Sequence, residues 1–427
     1  MDIKSIAVIS SDESVNCEIR TVCEDFSEDF EPVFLENEES IVQFLNYELP
    51  EINVIHCSDK SIDVEHIAEE IRNDPWLHYG GIIIVSDDEE GCFLSEYLAG
   101  LNLIAFIPQS RLSGYLQRVL RILSMNRHIL FQRDIHALLR SNLFGSFTLE
   151  NDPFDLATYS NLLANFLYNA NLISREQRET FYIAVMELLV NALEHGNCHI
   201  THEEKSEYLA RGLDPMDLIR EKAASREVQQ KRIYLSYRIR PDRSFFRIRD
   251  EGAGFDWRSY EAAPGLEGMK KGHGRGILMA RLYLTNLTYN RKGNEVSFEI
   301  EHTTGKSNAI PHVFSEEEEV RFEPGEVVFQ EGEKSSHLYY IVSGRYDIVA
   351  SGRKVSTLTP VDLFVGEMSF LLNNRRSATV TCVAKGVLIR VSKENFINAI
   401  KGKPHYGIFL ARLLAQRLVK LHQVALS

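Results

Sequence analysis

Over residues 1–125, short apolar runs alternate with stretches in which apolar residues recur every three to four positions. The runs Ser5–Ile9, Glu31–Leu35, Ile52–His56, Gly81–Val85 and Leu103–Ile107 predict strands. The periodic stretches Asn16–Phe26, Ser40–Tyr47, Val64–Asn73, Cys92–Ala99 and Leu112–Leu123 predict helices. Strict alternation of the two implies a doubly wound parallel sheet with helices on both faces. The apolar stripe of the last helix continues through Leu116, Val119, Leu120, Leu123, Ile129, Leu130, Ile135, Leu138 and Leu139. That predicts a helical connector over 126–143, serving either as a signalling or dimer helix or as one packed on its own domain.

Residues 144–302 read as a second domain. It has a strand (Gly145–Leu149), helices Phe154–Leu167 and Phe181–Asn197, and strands Arg232–Ile239, Arg243–Arg249, Leu287–Asn290 and Glu295–Ile300. This predicts an α/β sandwich, a mixed or antiparallel sheet with helices on one face, interrupted at 198–230 by a polar insertion of one or two helices. From 303 to 427 a polar linker (His302–Ser315) and an acidic run (Glu316–Glu319, a solvated face) lead into short strands. These are Val327–Phe329, Leu338–Ser343, Arg345–Ala350, Lys354–Leu358, Ser377–Ala384 and Val387–Val391, with helices Lys393–Ile400 and Tyr406–Val424 behind them. Strands this short between glycine turns predict a β jelly roll with flanking helices, so the chain is multidomain, α/β and α+β.

Composition narrows the class. At 427 residues the chain holds two to four domains, and 44% hydrophobic with 25% charged residues is the balance of a soluble globular protein. A formal charge of −14 opposes direct nucleic-acid or anionic-membrane binding. The six cysteines lack C-x-x-C spacing, which predicts free thiols without a disulfide or zinc framework and a reducing, cytoplasmic setting. The N-terminus carries no signal or transit pattern, and no apolar run approaches the roughly 20 residues of a membrane helix.

The candidate chemistry centres on Phe181–Asn197, where Glu187 and Asn191 stand four apart on one edge of an amphipathic helix. Asp250-Glu-Gly252-Ala-Gly254 follows the strand Arg243–Arg249, and Gly272-His-Gly274-Arg275-Gly276 opens another helical run. A carboxylate such as Asp250 can accept from the exocyclic amine of adenine, and Gly252 and Gly254 leave room beside a ring. Gly272, Gly274 and Gly276 expose N–H groups for phosphates. Asn191 offers a neutral oxygen to Mg²⁺, and Glu187 is placed to deprotonate a hydroxyl. The order of the three motifs resembles the GHKL ATP-binding fold of gyrase and histidine kinases. Glu187-Leu-Leu-Val-Asn191-Ala-Leu-Glu-His195-Gly-Asn looks most like the anti-sigma-factor serine kinases. The resemblance implies Mg-ATP at Asn191, His195, Asp250, Gly252, Gly254, Gly272, Gly274, Arg275 and Gly276, with Mg²⁺ on Asn191 and Glu187 as catalytic base. His195 is either a phosphate contact or a structural hydrogen-bonder.

The flanking domains supply candidate control. In length, element order and the Ile107-Pro108 pair, residues 1–125 resemble the receiver domain of response regulators. The acidic pair survives only as Asp12-Glu13, His56-Cys57-Ser58 stands where the phosphorylated aspartate belongs, and Ile107 replaces the lysine. Asp59 lies beyond the strand end. A degenerate receiver that binds a partner or dimerises is the expectation. In the last domain Gly366-Glu367-Met368-Ser369 and Arg376-Ser377-Ala378 resemble the phosphate-binding cassette of cyclic-nucleotide-binding domains. An arginine forks onto a phosphate, and a carboxylate suits a ribose hydroxyl. The resemblance implies cAMP or cGMP as regulatory ligand, with cAMP only mildly favoured. The expected protein is a cyclic-nucleotide-regulated serine/threonine kinase whose partner is an anti-sigma-factor antagonist or sigma factor, with a homodimer as one expected assembly. The competing expectation is an ATP-gated module that sequesters a partner without phosphorylating it.

Overall fold

A computed structural model describes residues 3–74, 80–87, 100–126, 143–170, 172–240, 242–255, 280–302, 310–372 and 374–408, with single positions 98, 257, 308, 410, 411, 414 and 415. The chain divides into two compact units, one of Met1–Asn102, Phe106–Ser113 and Thr304–Ser427, the other of Leu103–Ala105 and Gly114–Thr303.

In the N-terminal part, strands β1 (Lys4–Ile9), β2 (Phe30–Leu35), β3 (Ile52–His56), β4 (Gly81–Ser86) and β5 (Leu103–Pro108) form one sheet in the order 2-1-3-4-5. β1 pairs parallel with β2 and β3, and β3 with β4. The apolar runs of β1, β3 and β4 are buried at almost every position, as expected where both faces of a sheet are covered, while the edge strands β2 and β5 are only partly buried. Helices α1 (Glu13–Glu24), α2 (Glu38–Glu48) and α3 (Val64–Asn73) connect the strands. Each opens on a side-chain cap, from Asp12, Asn37 and Asp63 respectively. The cap moves the start of α1 three residues ahead of the predicted Asn16, because apolar periodicity does not register a polar first turn. Helix α4 (Leu112–Met125) buries Leu116, Val119, Leu120 and Leu123, so over its described length the stripe is a packing face. The predicted helix Cys92–Ala99 and the connector's Ile129–Leu139 stripe lie outside the described residues.

The second sheet, β6 (Leu143–Leu149), β7 (Ile233–Ile239), β8 (Arg243–Arg249), β9 (Thr285–Tyr289) and β10 (Glu295–Glu301), runs in the order 6-7-8-10-9. It is antiparallel at each of these pairings. Its alternating buried and exposed residues mark a sheet covered on one face, by helices α5 (Pro153–Asn169) and α6 (Arg175–Asn191). Phe181 of α6 meets Phe246 of β8 at 5.1 Å between ring centroids. The predicted helix Phe181–Asn197 differs at both ends. It starts earlier, at a capping box of Ser174 with Gln177, and at Ala192–Asn197 it widens into a π-helix. The insertion holds three short helices, α7 (His202–Ala210), α8 (Pro215–Ala223) and α9 (Arg226–Gln230), rather than one or two.

The third sheet comprises β11 (Glu318–Phe322), β12 (Val327–Phe329), β13 (His337–Ala350), β14 (Arg353–Leu358), β15 (Phe364–Val365) and β16 (Thr379–Ser392). Two predicted strand pairs are single long strands here. β13 and β16 pair with each other through register shifts at Ile341–Ser343 and Ser343–Arg345, so Gly344 marks a bulge where glycine spacing reads as a turn. The acidic run is partly a strand, since Glu318 and Glu319 are exposed positions of β11. Helices α10 (Glu367–Leu371) and α11 (Lys393–Gly402) complete the domain, and the distal part of the predicted Tyr406–Val424 helix lies outside the described residues. Cys57 is disulfide-bonded, which corrects the expectation of free thiols throughout; Cys17, Cys23, Cys198 and Cys382 are free. No helix among the described residues is long and apolar enough to cross a membrane.

One ion-pair cluster anchors the start of α5. Arg118 of α4 donates to Asp152 at 2.6 Å and lies 2.9 Å from Asp155, whose side chain is 5% exposed. Arg118→Met should destabilise the chain by roughly 3 kcal/mol in urea unfolding, because a buried carboxylate loses its counter-charge. The added substitution Asp155→Asn should restore part of that loss.

Candidate functional site

In the second domain the site grows from the end of α6. Glu187 is exposed and Asn191, one turn on, is half-buried, so both stand on the edge predicted for them. In the π-turn that follows, Glu194 is buried and clamped by Lys205 of the insertion at 2.7 and 2.8 Å. His195 Nδ1 lies 2.7 Å from the Ile200 carbonyl, so that nitrogen carries the proton and donates. This is the structural role that the sequence left open for His195.

Asp250, at the end of β8, is 8% exposed. Its carboxylate accepts the Gly252 N–H at 2.8 Å, and burial lifts its pKa to about 6 despite that bond. Gly196 and Gly252 allow the burial: a Cβ on Gly196 would strike the Asp250 carboxyl, and one on Gly252 the Gly196 carbonyl. Asn197, fully buried, accepts the Glu251 N–H at 2.9 Å and donates to Asn151 Oδ1 at 2.7 Å and the Arg232 carbonyl at 3.1 Å. The β9–β10 turn closes the other side. Asn294 donates to the Asp250 carbonyl at 2.9 Å and Lys292 to the Gly252 carbonyl at 2.9 Å. Asn151, Asn197, Lys292 and Asn294 hold the loop; of these only Asn197 stands in a motif legible in the sequence, directly behind His195-Gly196.

The structure therefore brings Asp250 and Gly252 onto the end of the segment that carries Glu187, Asn191 and His195. Gly254 follows in the left-handed region at φ 82°, its α-carbon against the Lys292 carbonyl. The glycines that the sequence reads as room beside a ring are spent on backbone contact instead, since a Cβ on Gly252 or Gly254 would meet the Gly196 or Lys292 carbonyl. The buried Asp250 carboxyl beside them remains an acceptor for a hydrogen-bond donor. Gly272, Gly274, Arg275 and Gly276 lie outside the described residues.

In the third domain Arg376 is 5% exposed. Its Nη1 donates to the Gly366 carbonyl at 2.9 Å and Ser369 Oγ at 3.0 Å, and its Nη2 to the His337 carbonyl at 2.6 Å. The guanidinium lies 4.0 Å over the Phe329 ring, and burial lowers its pKa. Its hydrogen-bond acceptors are all neutral, and the carboxylates of Glu333 and Glu367, the latter 5% exposed, act on it as nearby charges. A buried cation held only by neutral acceptors is a site for an anion. Gly366 caps α10 at φ 83°, and a Cβ there would meet Arg376 Nη1. Met368 is 50% exposed, Ser377 exposed and Ala378 half-buried, around the same cassette. His337 of β13, Phe329 of β12 and Ser335 in the segment between them, whose hydroxyl is 3.2 Å from Ser369 Oγ, are distant in sequence and carry no local motif.

At the C-terminal edge of the first sheet, receiver-like chemistry is not assembled. Asp12 is spent as the α1 cap, accepting from Ser14 and Val15 N–H groups. Burial pulls the Asp59 carboxyl upward, but hydrogen bonds from Ser61 and Ser11 outweigh it and hold the pKa down at about 2. His56 is buried, with Nδ1 3.3 Å from Ser10 Oγ.

Comparison with known proteins agrees with two of these readings. Residues 149–300 match the model of the histidine kinase-like ATPase domain, and residues 319–403 that of the cyclic nucleotide-binding domain. The chain thus joins a histidine kinase-like ATPase domain to a C-terminal cyclic nucleotide-binding domain. It is similar to the cGMP-dependent protein kinase of Plasmodium berghei (36% identity, 19% of this chain, 9% of that protein). It is also similar to the cyclic AMP receptor protein of Thermus thermophilus (33% identity, 22% of this chain, 45% of that protein). Among solved structures, the catabolite activator protein of Thermus thermophilus matches with 27% identity over 26% of this chain and 55% of that one, at a TM-score of 0.25. The chain therefore spans under half the length of these curated relatives.

Two outcomes follow from the geometry. The Asp250 carboxyl titrates near 6 when folded against 3.8 for an ordinary aspartate, so the folded state keeps a proton that the unfolded state has lost. Stability should therefore fall as pH rises from about 4 to 6, by roughly 3 kcal/mol at most. Urea unfolding across that range should show the fall in the wild type and not in Asp250→Asn. Gly366→Ala should cost about 2 kcal/mol or more in the same assay, because it combines left-handed strain with a methyl group on Arg376.

Proposed function

We propose that the protein is a cyclic-nucleotide-regulated signalling protein whose ATPase-like domain phosphorylates a serine or threonine of a partner protein. The pairing of the two matched domains supports cyclic-nucleotide-regulated signalling. The observation that carries the regulatory half is Arg376, a buried cation with neutral acceptors and, among the described residues, no counter-charge in hydrogen-bond contact with it. A cyclic phosphate would supply that counter-charge, cAMP or cGMP alike, with Gly366 and Ser369 beside it and Glu367 on the ribose.

On the ATPase side, bound Mg-ATP would supply the γ-phosphoryl group and the metal charge that offsets its oxygens. The chain's own residues do the rest in this proposal. Asp250 and the Gly252–Gly254 loop orient the base, Asn191 holds the Mg²⁺, and Glu187 takes the proton of the attacking hydroxyl. By its motif order the partner would be an anti-sigma-factor antagonist or sigma factor. The N-terminal sheet domain, with Asp12 and Asp59 engaged in structural bonds, serves as a receiver-like docking module rather than a phosphate acceptor. A second reading, partner sequestration gated by ATP without transfer, draws support from the exposure of Glu187, which no described wall shields from water.

Labelled Mg-ATP with a candidate partner separates the two readings. Transfer should occur with wild type and drop by about 100-fold or more in Glu187→Ala. Undiminished transfer in the variant would remove Glu187 as base, and bound ATP without transfer to any partner would favour sequestration. Calorimetry with cAMP and cGMP should give heat with wild type and none with Arg376→Ala; no heat with either nucleotide on wild type would sink the sensor.

A further inference from the structure

Behind α11 the chain does not simply leave the third domain; Lys403, His405 and Tyr406 meet the first. His405 Nε2 donates to Asp74 Oδ2 at 2.7 Å, with the side chains 0% and 2% exposed. The Tyr406 hydroxyl hydrogen-bonds the same carboxylate, and its ring lies 4.6 Å from that of His405. At the rim Lys403 Nζ reaches Glu70 Oε2 at 2.9 Å. Glu70 lies on α3 and Asp74 is its C-cap residue, so three donors within four residues of one domain clasp the end of a single helix of another. Both sides belong to the same compact unit.

Such a contact is all-or-none. The rim pair by itself contributes little, but a buried carboxylate that loses its donors is left desolvated and unpaired, which is strongly unfavourable. The clasp is therefore either closed or rehydrated as a whole.

Its far side leads to the cyclic-nucleotide cassette. Phe370 of α10 packs edge-on against Phe396 of α11 at 5.6 Å. Tyr406 shares one apolar core with Phe364, Phe370, Phe396 and Leu410, and meets Phe314 at 5.7 Å. α10 also carries Glu367 and Ser369, the cassette residues beside Arg376. A shift of α10 cannot leave α11 and the clasp unaffected, because close-packed rings transmit displacement.

We propose that the N-terminal sheet domain is the element that reads the cyclic-nucleotide site: Glu70 and Asp74 at the end of α3 receive Lys403, His405 and Tyr406, and occupancy beside Arg376 is linked to the closing of this clasp. The inference rests on the cyclic-nucleotide reading of Arg376. Linkage is reciprocal, so weakening the clasp must change nucleotide affinity although Asp74 belongs to a different domain from Arg376.

The full-length chain tests it. cAMP and cGMP are titrated calorimetrically against wild type, Asp74→Asn, Glu70→Gln and Lys403→Met, and deuterium exchange of residues 64–73 is followed with and without nucleotide. The expected result is a nucleotide-dependent change in exchange over 64–73 in the wild type. Asp74→Asn should shift the Kd by about fivefold or more, and the rim variants by less in the same direction. If Asp74→Asn does not fold, the double variant Glu70→Gln/Lys403→Met carries the comparison. Nucleotide bound with wild-type affinity by the variants, with exchange over 64–73 unchanged, overturns the clasp as a reader and leaves the sensor standing. No binding of either nucleotide to wild type overturns the sensor and the inference together.

Discussion

Two backbones can approach closely enough to bury a carboxylate at the end of β8 only where neither carries a side chain. Gly196 at the end of the π-turn and Gly252 in the loop meet with Asp250 between them. Everything else in the ATPase-like site is arranged about that contact. Asn197 ties the loop to Asn151 and Arg232, Asn294 and Lys292 close it from the β9–β10 turn, and the π-turn sets where Asn191 and His195 stand. The cost of burying Asp250 appears in its raised pKa. A carboxylate held in that state is a sharper acceptor for a matching donor than a solvated one, because its alternatives have been removed.

The cyclic-nucleotide domain solves the converse problem with a cation. Arg376 is taken out of water and held by two carbonyls, a hydroxyl and an aromatic face, none of which neutralises it. Neutral acceptors compensate lost hydration in part and leave the charge to be met by an anion. In both halves the polar group at the centre is presented by loops whose geometry is set by glycine, and in both some of the fixing bonds come from segments distant in sequence, His337 for Arg376 and Asn197 and Asn294 for the Asp250 loop.

Much of this was legible along the chain. Apolar alternation gave all five strands of the first sheet to within one residue at each end, most directly β1, β3 and β4, whose burial on both faces leaves a continuous apolar run. The motifs around Glu187, Asp250 and Arg376 stood out because their chemistry demands particular residue types at fixed spacing. Less legible were the features set by pairing or by polar caps. Gly344 reads as a turn until β16 is seen to pair along both sides of it, and Ser174 begins α6 through a capping box that apolar periodicity passes over. Asn151 escapes notice because an asparagine becomes significant only when burial removes its water.

What the sequence determined by itself is therefore local: element types, domain order, the glycines and the charged residues that carry the candidate chemistry. These follow from covalent geometry and from the period of apolar residues, which act over a few positions. Only the tertiary structure decided which polar groups lost their solvent. Asp250, Arg376 and the Asp74–His405 pair are surface-type residues by identity, and their burial comes from partners as far apart along the chain as residues 74 and 405. Desolvation depends on everything packed around a group, so it is a property of the fold and cannot be read from neighbours in sequence.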